Sequence, residues 1–404
     1  MQVSWKKNTV MFLVCQMVSL FGSALVQYAI TWHITLTTQS GVYMTMAIFF
    51  GFVPTFILSP FAGVWADRYD RKKLIIIADG GIALVTLILA ISIMAGSDAI
   101  WPLFVALAAR SCGSAIQTPC VNAMLPSIVP AEHLTRVNGL SGSAQSVITL
   151  ISPMLSALLL ASAPYYSIFF IDVLTAAAAI LMLIFFFKLP KRERGIEAQQ
   201  TGYFTEMKSG FSYVWSSKFL RQLFVYVAVF QVLMSPVFFL TPLQVTRNFG
   251  DNEFYLMALE IAFSLGMVAG GILIASWGGF KNRMHTIGGA MLFMAVFTFV
   301  IGLNVPLWAY LGIMVAFGIV VPMGNTPSMV LLQERIEPDY MGRVFSVMSM
   351  LQSCLMPMAM LLFGPLADAI AIEWMLVATG LLMCVLCISI FRNKTLLEAG
   401  RRAA

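Results

Sequence analysis

Four ionisable side chains lie inside long apolar stretches of the chain, where a charge is costly. They are Asp79 in IIIAD, Arg110 in ARSCGSAIQTP, Asp172 in FFIDVL and Glu260 in MALEIAFSLGM. Apolar surroundings disfavour an ionised carboxylate, so an acid placed there can bind and release a proton. Glu260 has apolar neighbours on nearly all sides and is the strongest candidate for proton exchange. The alternative for Glu260 is a satisfied hydrogen bond between helices.

Arg110 needs a partner for the same reason, because an unpaired guanidinium inside an apolar stretch costs several kcal/mol. A carboxylate or a backbone carbonyl would satisfy it. In the functional interpretation, Arg110 responds when a nearby acid gains or loses a proton. In the structural interpretation, it only ties neighbouring helices together, and the sequence leaves both open.

A polar stripe follows one face of the first apolar stretch. Gln16, Ser19, Ser23 and Gln27 recur every three to four residues, which places them on one side of a helix. This side must face protein or a water-filled cavity, because lipid offers no hydrogen-bond partner. The stripe is therefore a candidate surface for orienting the polar groups of a cargo.

The elements that position these residues are membrane helices. Of the 404 residues, 60% are apolar or aromatic and only 10% are charged, which excludes a water-soluble chain. About 20 apolar helical residues cross a hydrocarbon core of about 30 Å. Twelve stretches of suitable length have the approximate limits 9–36, 42–66, 74–95, 101–125, 137–162, 164–188, 219–246, 253–277, 285–304, 306–332, 343–369 and 373–391. We predict an all-α membrane protein with these twelve spans.

The basic residues predict the orientation of the spans. All but two of the 24 Lys and Arg residues fall on one side; Arg247 lies on the opposite side and Arg110 lies inside a span. Because cytoplasmic loops are enriched in Lys and Arg, both termini are predicted to be cytoplasmic. The net charge of +6 therefore reflects membrane topology and gives no reason to expect a nucleic-acid partner.

The chain divides into two halves of six spans. We predict a first bundle over 1–188, a cytoplasmic linker over 189–218 with a possible amphipathic helix, and a second bundle with a short tail over 219–404. Short matches support a duplication, since Thr118-Pro119 recurs as Thr326-Pro327 and Arg136-Val137 recurs as Arg343-Val344. The bundles are expected to be pseudo-symmetric.

Other functional classes find no support in the sequence. The three histidines are widely separated and form no H-E-x-x-H motif, and no GxxxxGK[ST] phosphate loop occurs. We expect neither an enzyme nor an ATP-driven pump, and we expect no metal and no cofactor. A channel remains the alternative to a transporter, and its flux would not respond to collapse of the proton gradient.

The loop between spans 2 and 3 carries the most specific motif, GVWADRYDRKK. It resembles the signature loop of the major facilitator superfamily, with Gly63 allowing close helix approach, Asp67 and Arg68 at the membrane edge, and Arg71 and Lys72 in the basic positions. Asp70 departs from the family, which usually has a glycine there. The resemblance implies that Asp67 meets the start of span 11 and helps to close a cytoplasmic gate. A plain positive-inside anchor is the alternative.

This resemblance also implies which spans surround a cargo cavity, namely 1, 4, 7 and 10. On spans 4, 7 and 10, the candidates for contacting cargo are Gln117, Tyr226, Phe230, Met234, Met314 and Asn325. Arg110 resembles the span 4 arginine of drug/proton antiporters in the superfamily. Asp79 and Asp172 fall on spans that are usually peripheral, so we favour structural pairing for both and keep them as candidates for proton coupling.

Four further stretches narrow the resemblance. DRYDRKK, FVALAARSCGSAIQTP, EIAFSLGMVAGGILIASWGGF and EPDYMGRVFSVM are similar to the bacterial macrolide-efflux transporters of the Mef type, over essentially the whole chain. The resemblance implies export of macrolide antibiotics, driven by the proton gradient. We expect a monomer in the bacterial inner membrane. An exporter or flippase of siderophores or lysophospholipids is the alternative. Those cargos are acidic or zwitterionic, whereas three acids and one arginine within the spans favour a cationic cargo.

Overall fold

The computed structural model describes residues 5–186 and 203–401 as a chain of helices. The helices are α1 (Trp5–Thr38), α2 (Gly41–Arg68), α3 (Arg71–Met94), α4 (Trp101–Ile128), α5 (Leu134–Ser162), α6 (Tyr166–Phe186), α7 (Tyr203–Ser216), α8 (Lys218–Phe249), α9 (Glu253–Trp277), α10 (Arg283–Ile301), α11 (Leu307–Arg335), α12 (Pro338–Ala369), α13 (Ile372–Arg392) and α14 (Lys394–Ala399).

Twelve of these helices correspond to the predicted spans, which confirms the all-α membrane fold. They are α1–α6 and α8–α13, and their ends differ from the predicted limits by no more than about one and a half turns. Eleven of the twelve contain an apolar window long enough to cross a membrane. The remaining one is α4, the helix that carries Arg110.

The chain forms two compact units. Among the described residues, unit 1 comprises 5–38, 46–186 and 252–257, and unit 2 comprises 39–45, 203–251 and 258–401. Helix α1 runs through the interior of unit 1 and contributes to two apolar clusters. Phe12 and Cys15 belong to the first cluster, while Leu25 and Ile30 belong to the second. Gln16, Ser19 and Ser23 of the polar stripe lie between these clusters along the helix, whereas Gln27 lies beyond Leu25 and is exposed.

Helix α7 occupies the second part of the predicted linker. It packs against the beginning of α12, where the Tyr213 and Tyr340 rings stack with centroids 4.2 Å apart. The Tyr213 hydroxyl accepts a hydrogen bond from the Glu337 backbone N–H at 3.5 Å. Gly210 faces the carbonyl of Arg343. This part of the linker is therefore held by unit 2, while residues 189–202 lie outside the described ranges.

Helices α9 and α11 of unit 2 approach each other so closely that only glycine fits at the contact. A Cβ atom at Gly266 would overlap the carbonyl oxygen of Val315, and one at Gly270 would overlap that of Ile319. These glycines are four residues apart and therefore share one face of α9. The small-xxx-small pattern is typical of helices that pack by backbone contact within a membrane.

We expect Gly270→Leu to lower the free energy of unfolding by about 1–3 kcal/mol or more, because the new side chain must displace backbone atoms. Gly271→Leu is the matched control, since a Cβ atom there meets nothing within 4 Å. Thermal unfolding in detergent, followed by size-exclusion chromatography, measures both. Equal losses in the two variants would contradict the assigned α9–α11 contact.

Candidate functional site

A buried ion pair lies inside unit 1. Arg110 Nη1 of α4 is 2.5 Å from Asp172 Oδ2 of α6, and the two residues are 5% and 1% exposed. Thr86 of α3 links both partners, because its hydroxyl accepts from Arg110 Nη1 at 2.8 Å and donates to Asp172 Oδ2 at 3.2 Å. Arg110 Nη2 donates to the backbone oxygen of Ser23 at 2.9 Å. The guanidinium therefore ties α1, α3, α4 and α6 together.

A second carboxylate lies beside this pair and has only neutral hydrogen-bond partners among the described residues. Asp79 Oδ1 accepts from Gln117 Nε2 at 2.7 Å and from the Ser19 hydroxyl at 3.4 Å. Asp79 Oδ2 is buried without a hydrogen-bond partner in the described part of the chain, as is Gln16 Nε2. Asp79 itself is only 2% exposed. We define the buried cluster as Asp79, Arg110, Asp172 and their polar partners.

The buried cluster contains two carboxyl groups and one guanidinium. Ser19 contacts Asp79 and Ser23 contacts Asp172, and these serines lie about one turn, or about 6 Å, apart along α1. If both acids were ionised, the cluster would carry one uncompensated negative charge in apolar surroundings, which is unfavourable. A proton on one carboxyl group removes that charge. Asp79 is the acid without an ionic partner among the described residues and can hold the proton.

A cavity of about 230 Å³ in unit 1 reaches the buried cluster. Its polar lining consists of Ser23, Gln27, Thr55, Arg110, Ser111 and Ser114. The volume is below the roughly 300–1,000 Å³ that is typical of sites for drug-sized ligands. It suits several water molecules of about 30 Å³ each, with hydroxyl and amide partners available. The cavity can therefore connect Arg110 to water or to a polar substituent of a cargo.

The predicted cargo-contacting residues separate into different environments. Gln16, Ser19 and Gln117 lie in or beside the buried cluster, while Ser23 and Gln27 line the cavity. In unit 2, Phe230, Met234 and Met314 are buried, whereas Asn325 is exposed. The Tyr226 hydroxyl is hydrogen-bonded to that of Ser389 on α13 and lines a different cavity with Arg392.

The polar stripe of α1 meets different helices along its length. Ser19 contacts Asp79 of α3, and Ser23 contacts Asp172 of α6.

Glu260 lies in unit 2, on α9. It is half-buried, and among the described residues no hydrogen bond or ion pair involves its carboxylate. This differs from the alternative of a satisfied helix–helix hydrogen bond. A carboxyl group without a protein partner is available for a proton or for a cationic group of a cargo.

Comparison with known proteins shows where this architecture belongs. A sequence model of the Major Facilitator Superfamily matches residues 12–359. The chain belongs to the major facilitator superfamily. It is 31% identical over 385 residues to macrolide efflux protein A of Streptococcus pyogenes, covering 95% of both chains. It is 30% identical to macrolide efflux protein A of Enterococcus faecalis, covering 80% of this chain and 99% of the relative.

A solved structure supports the superfamily fold. The crystal structure of a D-xylose-proton symporter aligns with a TM-score of 0.70 at 13% identity, covering 98% of this chain and 99% of the symporter. Superfamily membership makes the chain a multi-pass transporter of the bacterial cytoplasmic membrane rather than an enzyme. The resemblance to the macrolide-efflux transporters, which the sequence motifs indicated, is confirmed.

The superfamily's signature loop connects α2 to α3. Arg71 Nε donates to the Ala66 carbonyl at 2.9 Å, and its Nη1 donates to the Ala123 carbonyl at 2.5 Å, so this side chain ties α2 to α4. Lys72 Nζ donates to the carbonyl of Ile184 at 3.3 Å. Asp70 caps α3 by accepting from the backbone N–H groups of residues 72 and 73. That cap gives a physical reason for an acid where the family usually has glycine.

Two other residues of the loop bear on the gate prediction. The Asp67 side chain lies outside the described residues, so its contact with span 11 stays a prediction. Arg68 is exposed at the end of α2. Among the described residues, a Cβ atom at Gly63 would meet nothing within 4 Å, so its role in a close helix approach also stays a prediction.

Sequence reasoning missed an ionic group in unit 2. Asp368 Oδ1 accepts from the Gly41 N–H at 2.7 Å and from Arg247 Nη2 at 2.8 Å. Its Oδ2 accepts from the Ser40 hydroxyl at 2.6 Å and from the Val42 N–H at 3.0 Å. The sequence did contain a feature that could have indicated this group. Arg247 is the single basic residue on its predicted side of the membrane, and such an arginine suggests an acidic partner nearby.

Proposed function

We propose that this chain exports cationic amphipathic drugs of the macrolide class across the bacterial cytoplasmic membrane, in exchange for protons. Alternating access would expose the cargo site to one side of the membrane at a time. Both termini would be cytoplasmic and the transporter would act as a monomer. The proton gradient would supply the energy for export, and no cofactor would be needed. The observation that carries proton coupling is the buried cluster, in which one guanidinium pairs with Asp172 and leaves the second carboxyl group, Asp79, with neutral partners only among the described residues.

The cargo class rests on the relatives and on the charge within the spans. Macrolide efflux proteins are similar over 80–95% of this chain. A macrolide combines a large apolar ring with a charged amino sugar, and the spans offer more acids than bases. The 230 Å³ cavity of unit 1 is too small for such a molecule, so it would serve water and proton access.

The two available acids would have separate roles. Asp79 is almost fully buried and so would exchange a proton without touching cargo. Glu260 is half-buried and without a partner among the described residues, so it would hold a proton or the cationic group of the drug in turn. Arg110 and Asp172 would respond to the charge of Asp79, because Ser19 contacts Asp79 and Ser23, about one turn further along α1, contacts Asp172. The loop at Asp67 would act as the cytoplasmic gate.

Accumulation of a radiolabelled macrolide in bacteria tests this function. We expect cells that express the protein to accumulate less drug than cells with an empty vector, because the proton gradient drives export. Adding an uncoupler should raise accumulation to the empty-vector level within minutes. The measurement is cell-associated radioactivity, with expression verified by immunoblot.

Three results would contradict the proposal in different ways. Export that persists after uncoupling would indicate a channel-like or otherwise driven flux. Accumulation equal to the empty vector throughout would remove macrolides as cargo. Reduced secretion of a siderophore or a lysophospholipid on deletion, with macrolide accumulation unchanged, would favour the alternative cargo.

A further inference from the structure

A groove in unit 2 has a lining that differs from the rest of the apolar helix surface. It has a volume of about 520 Å³ and lies between α8 and α13. The lining residues are Tyr226, Val385, Ile388, Ser389, Arg392 and Asn393. One end is apolar and the other carries hydrogen-bond donors and a positive charge.

The apolar end continues as a stripe along α13. Leu381, Val385 and Ile388 are 51%, 67% and 48% exposed, and they recur at helical spacing on one face. The same face reaches Arg392, the last residue of the helix, which is also exposed. An acyl chain lying along the stripe would therefore place a headgroup at Arg392.

The polar end offers donors that suit a phosphate group. Ser389 Oγ lies 2.9 Å from the Tyr226 hydroxyl. Because the Ser389 hydroxyl donates to the Leu386 carbonyl at 2.7 Å, the Tyr226 phenol donates to Ser389 Oγ, and this pair forms the wall of the groove. Asn393 caps α14 with its side-chain oxygen, which accepts from Leu396 N at 3.3 Å. The cap does not use the two amide N–H donors of Asn393, so they can bind a phosphate oxygen. Arg392 adds a guanidinium, which binds phosphate through charge-assisted hydrogen bonds.

The charge of the groove selects among lipids. Its lining contains one arginine and no carboxylate, and Lys394 is exposed two residues further on. A zwitterionic headgroup would find a partner for its phosphate and none for its ammonium. The predicted topology places Arg392 on the cytoplasmic side, where anionic lipids and juxtamembrane basic residues attract each other.

We propose that this groove is a binding site for one anionic phospholipid. The phosphate contacts Arg392 and Asn393, and an acyl chain lies along Val385 and Ile388. The lipid bridges α8 and α13, the first and last spans of the second half. The proposal is independent of the cargo and of proton coupling.

Native mass spectrometry of the delipidated full-length protein in detergent tests the site. The probes are dioleoyl phosphatidylglycerol and dioleoyl phosphatidylcholine, titrated separately. We expect one retained phosphatidylglycerol and about tenfold weaker retention of phosphatidylcholine. Arg392→Gln should reduce phosphatidylglycerol affinity about tenfold, as loss of a charge-assisted hydrogen bond does, and leave phosphatidylcholine unchanged.

Arg136→Gln is the matched control, because it removes the same charge from another exposed arginine. Unchanged thermal unfolding would show that Arg392→Gln is folded. Equal losses of phosphatidylglycerol in Arg136→Gln and Arg392→Gln would overturn the proposal, since they would indicate attraction to charge in general. Equal retention of the two lipids by the unmodified protein would also overturn it.

Discussion

Replacing Arg110 with alanine is expected to destabilise the protein by about 3–5 kcal/mol, because Asp172 would remain as a buried carboxylate without its cation. Asp172 is 1% exposed, so its charge would lie largely out of contact with bulk solvent. Thr86 and the backbone oxygen of Ser23 would lose a donor as well. Thermal unfolding of the purified protein in detergent measures the loss, and the exposed Arg136→Ala variant supplies the control.

A double variant separates the structural role of the pair from its role in transport. Replacing both partners of a buried ion pair with apolar residues is often neutral for stability. Arg110→Met with Asp172→Leu should therefore recover most of the stability lost in Arg110→Ala. We expect the double variant to remain inactive in drug export. If it exports macrolide at the normal rate, Arg110 only ties helices together, as the structural interpretation holds.

The sequence predicted the helices well because the membrane imposes a length and a composition on each of them. Every long helix had an apolar stretch of matching limits, including α4, in which Arg110 interrupts the apolar run. The need of Arg110 for a partner also followed from the sequence, because a buried guanidinium must be satisfied. The identity of the partner did not follow.

Which acid meets Arg110 depends on how each helix is rotated about its axis and shifted along it relative to its neighbours. A single sequence does not reveal these two quantities. Asp79 and Asp172 are both single acids inside apolar helices. The structure pairs Asp172 with Arg110 and gives Asp79 to Ser19 and Gln117. The stripe of α1 shows the same difficulty, since its spacing fixed one face but did not reveal that Ser19 and Ser23 contact different acids. The Asp70 cap, by contrast, could be predicted from the sequence, because an aspartate directly before a helix is a common N-cap.

Replacing Asp79 with asparagine is expected to abolish uphill macrolide export while leaving macrolide binding intact. Asparagine keeps the shape of the side chain and mimics its protonated, uncharged form, but it exchanges no proton. Drug accumulation should rise to the level of cells without the transporter. Binding of a radiolabelled macrolide to the purified variant should be unchanged, because Asp79 is buried away from any large cargo.

Glu260→Gln should give a different result from Asp79→Asn, and the comparison shows which acid exchanges the proton and which binds the drug. It should also abolish export, but it should weaken macrolide binding by about tenfold, because the cationic group of the drug would lose a charged partner. The exposed Asp251→Asn variant controls for loss of a carboxylate elsewhere and should behave as the unmodified protein. Normal export by Asp79→Asn would move proton exchange out of the buried cluster. Normal binding by Glu260→Gln would remove Glu260 from the cargo site and leave Asp79 as the acid on which coupling depends.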